Sequence, residues 1–181
     1  VGNVHEVARE RNPRAKIAYV DFEAVAVAHA RRLVQEDPLI SVDFADLQEP
    51  DSVLSSPGVT KLLDFTRPVA VLAISVLHFV PNERHPQRII AHYRDACVPG
   101  SALGLSHMNP RGLPQELIDA GSELYQRTTT PLTFRSDAEI AALMAGYELV
   151  TPGMVRVDRW RSEDSEGPGT ANVVGAVGIL T

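Results

Sequence analysis

Residues 16–33 read KIAYVDFEAVAVAHARRL, an apolar strand that stops on the carboxylate of Asp21 and a helix that follows at once. In a doubly wound sheet, ligands bind outside the carboxyl ends of the strands, and an acid there can accept both hydroxyls of a nucleotide ribose. The pattern therefore predicts that Asp21 holds an adenosine-type cofactor. The alternative is that its carboxylate caps the helix by accepting the first free amides.

A second strand also ends on an acid. Residues 40–44 alternate apolar and polar side chains, and the run ends at Asp46-Leu47. We expect the backbone and carboxylate of this pair to meet the adenine edge, while Phe22, next to Asp21, contacts the adenine face. Asp46 serves equally well as a turn or cap residue.

The flanking segments continue the alternation of helix and strand. Residues 4–8 give one apolar face to a first helix, which Asn12-Pro13 ends because the residue before proline avoids the helical conformation. The run 68–77 is unbroken and apolar, as expected of a strand covered on both faces, and should lie at the centre of the sheet. Further helices are predicted over 53–63, interrupted at Pro57-Gly58, and over 88–97, with a further strand over 101–107. This alternation predicts parallel strands joined by right-handed crossovers.

The pattern changes after Pro110. Ser136 and Glu139 form a capping-box sequence at the start of a helix. The other predicted elements of this part are a helix over 113–127, a polar connector over 128–131, and strands over 147–155 and 172–180, separated by an acidic loop at 161–170. Two final strands joined by a loop suggest an antiparallel hairpin at the edge of the sheet.

Length and composition describe one globular domain spanning 1–181. The 181 residues suffice for one sizeable core, at roughly 100 to 200 residues per domain, and 44% hydrophobic residues are typical of a folded protein. A net charge of -6 gives no general attraction to nucleic acid or anionic membranes and favours a small-molecule partner. Cys97 is the only cysteine, so no internal disulfide forms. With no signal peptide and no apolar run near about 20 residues, a cytoplasmic location is expected.

Several motifs of this chain resemble those of one family. The motifs are Gly2-Asn-Val-His-Glu-Val-Ala8, Tyr19-Val-Asp21, Ala28-His-Ala30, Ala45-Asp46-Leu47, Val76-Leu-His-Phe-Val-Pro81, Leu105-Ser-His107 and Thr130-Pro-Leu-Thr-Phe-Arg-Ser136. They resemble a bacterial family of S-adenosylmethionine-dependent methyltransferases long catalogued as a domain of unknown function, and the similarity runs nearly end to end. It implies a three-layer α/β, Rossmann-like class I methyltransferase sheet, mostly parallel, with an antiparallel C-terminal edge strand.

The resemblance implies that S-adenosylmethionine is the cofactor. The positions expected to bind it are Gly2, Asp21, Phe22, Asp46, Leu47, Ser75, Val76 and His78. Family members carry a strand and a Gly-rich turn before the position of Gly2, and that segment is not among these residues. Either the chain is a piece of a longer protein or it lacks half of the pocket. The family also has Asn-Asp after its ribose acid, where this chain has Phe22-Glu23.

Methyl transfer needs a nucleophile at near-attack distance in an enclosed pocket, and a base only if the acceptor must lose a proton. His78 and His107 lie at the ends of the two predicted central strands, and a histidine pKa of about 6.5 suits a base. Each is equally readable as a hydrogen-bonded structural residue. No histidine is spaced from another histidine or a cysteine as metal ligands are, so no metal site is expected.

Two other functions are compatible with the same pattern. A nicotinamide-dependent oxidoreductase of the NAD(P) type also places an acid after its second strand. A non-catalytic binding or dimerisation module would keep the fold without the cofactor, and an open sheet edge would favour a homodimer. Ser75 and Ser106 lie outside any Gly-x-Ser-x-Gly elbow, which argues against a hydrolase.

Overall fold

The computed structural model describes residues 2–34, 37–126, 131–162 and 172–181. The chain divides into two compact units, Val1–Phe65 and Thr66–Thr181, which we call the first and second units. The predicted connector at 128–131 and the predicted acidic loop at 161–170 lie largely outside the described residues.

The first unit alternates helices with two parallel strands. Its elements are α1 (Val4–Arg11), β1 (Ile17–Asp21), α2 (Ala24–Leu33), β2 (Ile40–Phe44), α3 (Pro50–Leu54) and α4 (Pro57–Leu62). β1 and β2 pair in parallel, with Ile17 opposite Ile40 and Asp21 opposite Phe44. α1 ends at Arg11, as the Asn12-Pro13 signal predicts. The carboxyl ends of both strands therefore lie at one edge of the pair.

The predicted interruption of the helical region over 53–63 is confirmed, but the break lies at Ser55 and Ser56 and not at Pro57-Gly58. Pro57 is the first residue of α4. Proline is favoured there because its missing N–H would have no partner in a first turn. Gly58 follows because its backbone lies against β2: a Cβ at this position would stand 2.2 Å from Asp43 Oδ2.

The second unit holds a mixed five-stranded sheet. Its elements are β3 (Ala70–Ile74), α5 (Pro86–Asp95), β4 (Ala102–Met108), α6 (Gln115–Gln126), α7 (Asp137–Leu143), β5 (Tyr147–Leu149), β6 (Val155–Arg156) and β7 (Val173–Leu180). The strand order is β3-β4-β7-β5, and β6 also pairs with β7. β3 and β4 are parallel, whereas β7 runs antiparallel to β4, β5 and β6.

The antiparallel direction of the C-terminal strand is confirmed, but its predicted place at the edge is wrong. β7 lies between β4 on one side and β5 and β6 on the other. Its sequence VVGAVGIL is apolar at every position, and the consecutive residues Val174, Gly175 and Ala176, which face both sides of the sheet, are buried. Such a strand requires cover on both faces, whereas the three-residue β5 presents little edge to solvent.

The expectation that 68–77 forms the central strand differs from the observed sheet. β3 is shorter, covering Ala70–Ile74, and among the described residues it pairs only with β4. Leu72 and Ile74 are 51% and 55% exposed. A continuous apolar run predicts that a strand is covered by neighbours, but it does not specify on which side they lie.

The core of the second unit lies between the sheet and its helices. Ile89, Ile90 and Tyr93 on α5 are buried, as their spacing predicts. Cys97, beyond the end of that helix, is half-buried, and burial raises the pKa of its thiol. Leu103 on β4 is also buried. Within the described ranges, no helix is long and apolar enough to cross a membrane.

Candidate active site

The strand ends of the first unit bring the two predicted acids to the same edge. Asp21 is the last residue of β1, and Asp46 follows β2 by two residues. The Ala45 N–H donates to the Asp21 carbonyl at 3.1 Å and ties the two strand ends together. Phe22 is 44% exposed beside Asp21, and Leu47 is half-buried after Asp46.

Asp21 does not cap the following helix through the amides of its first turn. The N-cap of α2 is Glu23, and no side chain makes a capping bond there. Instead, Asp21 Oδ1 accepts the Glu23 N–H at 2.8 Å, in a turn two residues long. Asp21 is exposed, and no hydrogen bond from the described residues reaches its Oδ2. Asp21 therefore keeps an open carboxylate oxygen at the end of β1, and its contact with a ribose stays a prediction.

Asp46 has the turn role that its sequence allowed. Its Oδ1 accepts the Gln48 N–H at 2.9 Å, and its Oδ2 lies 3.4 Å from Gln48 Nε2. These bonds fix the loop that follows β2, so the adjacent backbone is held in one conformation. The contact of Asp46 and Leu47 with an adenine edge stays a prediction.

Gly2 lies at the amino end of α1, one residue before the N-cap Asn3. It is exposed, and a Cβ at this position would stand 3.1 Å from Glu6 Oε2. Glu6 also accepts the Asn3 N–H at 2.5 Å, which completes a capping box. The expected role of Gly2 in cofactor binding stays a prediction.

At the end of β3 in the second unit, the chain adopts a strained conformation. Ser75 has φ +53, in the left-handed region that non-glycine residues rarely adopt. Its N–H donates to Ser106 Oγ at 2.9 Å and to the Ser106 carbonyl at 3.2 Å. Val76 then leads into the 3-10 turn Leu77–Phe79. Conformations of this kind cost on the order of 1–3 kcal/mol and cluster at functional sites.

His107 is fully engaged by the protein. It is 0% exposed, near the end of β4. Its Nδ1 lies 2.7 Å from the Met108 carbonyl oxygen and its Nε2 lies 2.8 Å from Arg135 Nη1. A carbonyl only accepts and a guanidinium only donates, so Nδ1 carries the proton and Nε2 is the acceptor. This arrangement leaves His107 no lone pair for a substrate.

His78 is buried beside His107 but lacks a partner at one nitrogen. It is 4% exposed, and its ring centroid lies 5.6 Å from that of His107 in an edge-on arrangement. No described residue hydrogen-bonds its buried Nδ1. Burial, together with the charges of His107 and Arg135, lowers the pKa of His78 to about 4. His78 is therefore neutral at neutral pH and too weak to be an efficient general base there.

Arg135, which no sequence pattern singled out, connects these groups. Arg135 is 1% exposed and donates to the carbonyls of Leu77 and Val80 at 2.8 and 2.7 Å. It also donates to Asn82 Oδ1 and to His107. Its partners lie 28 to 58 residues away along the chain, so no local pattern could identify them. The only signal was its place in the motif at 130–136 that resembles the family.

The structure thus brings together Asp21 with Asp46 in the first unit, and His78 with His107 and the Ser75–Ser106 pair in the second. The prediction that the two groups line one pocket stays a prediction. In the described part of the chain, no cluster of histidine, cysteine and acidic side chains could hold a metal ion.

Comparisons with known proteins bear on the same features. A family model described as S-adenosyl methyltransferase matches residues 1–181. The crystal structure of a candidate methyltransferase from Thermobifida fusca YX is 31% identical, with a TM-score of 0.89, and the alignment covers 99% of this chain and 68% of that one. A DUF574 family protein from Streptomyces avermitilis MA-4680 is 29% identical, with a TM-score of 0.89 and coverages of 99% and 70%.

A more distant structure has the same fold. The N-methyltransferase NodS from Bradyrhizobium japonicum WM9, solved with S-adenosyl-L-homocysteine, is 12% identical, with a TM-score of 0.59 over 96% of this chain and 71% of that one. No curated protein matches the sequence.

The fold is that of a class I, Rossmann-like methyltransferase with a mixed α/β architecture. The chain belongs to the S-adenosyl methyltransferase family. It is accordingly an S-adenosylmethionine-dependent methyltransferase, and the family assignment decides against the nicotinamide oxidoreductase and the non-catalytic module.

Proposed function

We propose that this enzyme methylates a small-molecule acceptor and that His78 contacts the acceptor. The observation that carries the proposal is the buried Nδ1 of His78, which no described residue hydrogen-bonds. Leaving a buried polar atom unpaired costs about 1–3 kcal/mol, and such atoms in native proteins call for an explanation. A bound acceptor that hydrogen-bonds this nitrogen would supply the missing partner.

The low basicity of His78 restricts the chemistry of the acceptor. A neutral imidazole with a pKa of about 4 orients a polar group by hydrogen bonding but removes protons poorly at neutral pH. His107, with both nitrogens engaged, offers no second base. We therefore expect an acceptor that already has a free lone pair when it binds, such as a neutral amine, and loses any proton to solvent afterwards. When bound, S-adenosylmethionine supplies an electrophilic sulfonium methyl group for in-line displacement.

We propose that the predicted positions bind the cofactor in two sets. In the first unit, the open oxygen of Asp21 accepts ribose hydroxyls, while Phe22, Asp46 and Leu47 contact adenine and Gly2 approaches the methionine part. In the second unit, Ser75 and Val76 belong to the predicted set, and we assign His78, which the sequence places in both roles, to the acceptor. The exposure of Asp21 and the turn that orients it support the first assignment.

The proposal of a small, non-nucleic-acid substrate rests on the acidic chain. A net charge of -6 disfavours polyanions. The single cysteine suits a reducing compartment, so we also propose that the enzyme acts in the cytoplasm. A homodimer stays a prediction from sequence.

The test supplies the full-length enzyme with S-adenosylmethionine labelled in its methyl group and a cell extract separated by ultrafiltration. We expect label in new compounds of the small-molecule filtrate. Label found only in retained macromolecules would show that the small-molecule assignment is wrong.

His78→Asn tests the contact with the acceptor. This substitution should lower kcat/KM for the acceptor at least about 10-fold while leaving S-adenosylhomocysteine affinity within a factor of about two. The exposed His92→Asn is the matched control and should change neither quantity. Unchanged kcat/KM in His78→Asn would remove His78 from the site.

A further inference from the structure

We propose that Arg135 is a positioning residue for methyl transfer: its guanidinium locks the turn at 77–82 against the end of β4 and holds His107 in one tautomer beside His78. The effect on catalysis rests on the proposed function of His78. The tautomer of His107 does not depend on that function, and it is the quantity that we would measure first.

All five N–H groups of the guanidinium have acceptors. Nη1 donates to the Leu77 carbonyl and to His107 Nε2, both at 2.8 Å. Nη2 donates to the Val80 carbonyl at 2.7 Å and to Asn82 Oδ1 at 2.8 Å, and Nε donates to the same Asn82 oxygen at 3.2 Å. One side chain therefore connects three points of the turn to a histidine on β4.

None of these four acceptors is a carboxylate, so the positive charge of Arg135 is not neutralised by direct pairing. Glu139 attracts this charge from a distance. The Glu139 carboxylate itself accepts a hydrogen bond from the Ser136 N–H, with 2.8 Å between the nitrogen and Oε2. The charged or titratable groups acting on the two histidines are Arg135, Glu139 and the histidines themselves. Arg135 thus disfavours a second positive charge on either ring.

The main chain around Arg135 is held independently of its side chain. The Thr133 N–H donates to the His78 carbonyl at 2.7 Å. Asn109 Nδ2 donates to the Arg135 carbonyl at 3.1 Å and to Asp137 Oδ1 at 2.9 Å. Substituting the Arg135 side chain should therefore remove its hydrogen bonds to the turn and to His107, while these backbone contacts keep the main chain around Arg135 in place.

Lysine cannot replace Arg135 in this position. A lysine ammonium has three N–H donors and no planar fork, so it cannot reach two carbonyls, an amide oxygen and an imidazole together. Arg135→Lys keeps the charge and loses the geometry, whereas Arg135→Gln loses both. The two variants separate the effect of the charge from that of the hydrogen bonds.

The experiment is long-range ¹H–¹⁵N NMR of the histidine side chains in the full-length protein without cofactor, with signals assigned by single His→Asn variants. In the wild type at neutral pH, we expect His107 as the neutral Nδ1–H tautomer. In Arg135→Gln, the signal should become that of exchanging tautomers, and His78 should titrate at higher pH than in the wild type. In Arg135→Lys, His107 should exchange between tautomers, while the pKa of His78 should stay low. The exposed Arg67→Gln should match the wild type.

An Nε2–H tautomer of His107 in the wild type, or protonation of His107 near pH 6.5, would overturn the proposal, and this result does not depend on the Arg135 variants. An unchanged tautomer in folded Arg135→Gln would overturn it as well. Because no cofactor is present, these outcomes are independent of whether His78 contacts the acceptor. Where His78 does so, the acid limb of the methyl-transfer pH profile should move to higher pH in Arg135→Gln.

Discussion

The strand ends of the two units carry polar groups that are held in opposite ways. In the first unit, Asp21 and Asp46 are exposed or half-buried, and each carboxylate bonds a residue two positions further along the chain. In the second unit, His78, His107 and Arg135 are buried, and the bonds of Arg135 reach residues 28 to 58 positions away.

The two arrangements suit different tasks. An exposed carboxylate oriented by a short turn can accept a ligand with little rearrangement. A buried network, in contrast, determines which proton positions and side-chain orientations the site retains. Substitutions in the first unit should therefore change ligand affinity with little effect on stability, and substitutions in the second should change stability and pH dependence.

The largest effect should come from Arg135→Gln. Three backbone and side-chain oxygens and the His107 nitrogen lose their donor, and unpaired buried acceptors are costly, so the free energy of unfolding should fall by about 3 kcal/mol. Urea unfolding followed by the fluorescence of Trp160, the only tryptophan, measures it in the second unit. Arg67→Gln should stay within about 0.5 kcal/mol of the wild type. An equally small loss in Arg135→Gln would show that the network contributes little.

Asp21→Asn should weaken S-adenosylhomocysteine binding by about 10- to 100-fold. Hydrogen bonds to a charged acceptor contribute about 1.5–3 kcal/mol, and asparagine retains the oxygen that accepts the Glu23 N–H. The melting temperature should hardly change, since the side chain is exposed. Calorimetric titration provides the affinities, with the exposed Glu23→Gln as control. Equal affinities for Asp21→Asn and the wild type would remove Asp21 from the cofactor site.

Acidification should destabilise the second unit through His78. The unfolded chain takes up a proton near pH 6.5, whereas the folded protein does so only near pH 4, so stability falls as the pH drops between these values. At about 1.4 kcal/mol per pKa unit, and discounting for partial solvation, the loss should be on the order of 2 kcal/mol. Urea unfolding at pH 7 and pH 4.5 should show a smaller difference for His78→Asn than for the wild type. The exposed His92→Asn should retain the full pH dependence.

The smallest effect concerns the helix cap next to the network. Ser136→Ala removes the Oγ that accepts the Glu139 N–H at 3.4 Å and donates to Glu139 Oε2 at 2.7 Å. Losing an N-cap serine costs about 1 kcal/mol, and the tautomer of His107 should stay the same. A change of tautomer would mean that the cap, and not Arg135, sets the position of the segment.

Local patterns were sufficient to predict the first unit and the helix start at Ser136. Asp21 follows an apolar strand and precedes a helix, and the Ser136–Glu139 spacing is that of a capping box, which the structure contains. Both features depend on residues within a few positions of each other.

Contacts between distant segments could not be predicted in the same way. Arg135 is an ordinary polar residue in its local sequence, and only the folded chain brings the turn at 77–82 and His107 to its guanidinium. For the same reason the apolar composition of β7 predicted a strand but not its place between β4 and β5.

The most direct test of the account is calorimetric titration of the full-length wild-type protein with S-adenosylhomocysteine. We expect saturable micromolar binding, accompanied by an increase in melting temperature. No binding heat and no thermal shift would contradict it, because the open carboxylate of Asp21 would then serve some purpose other than holding the ribose of the cofactor.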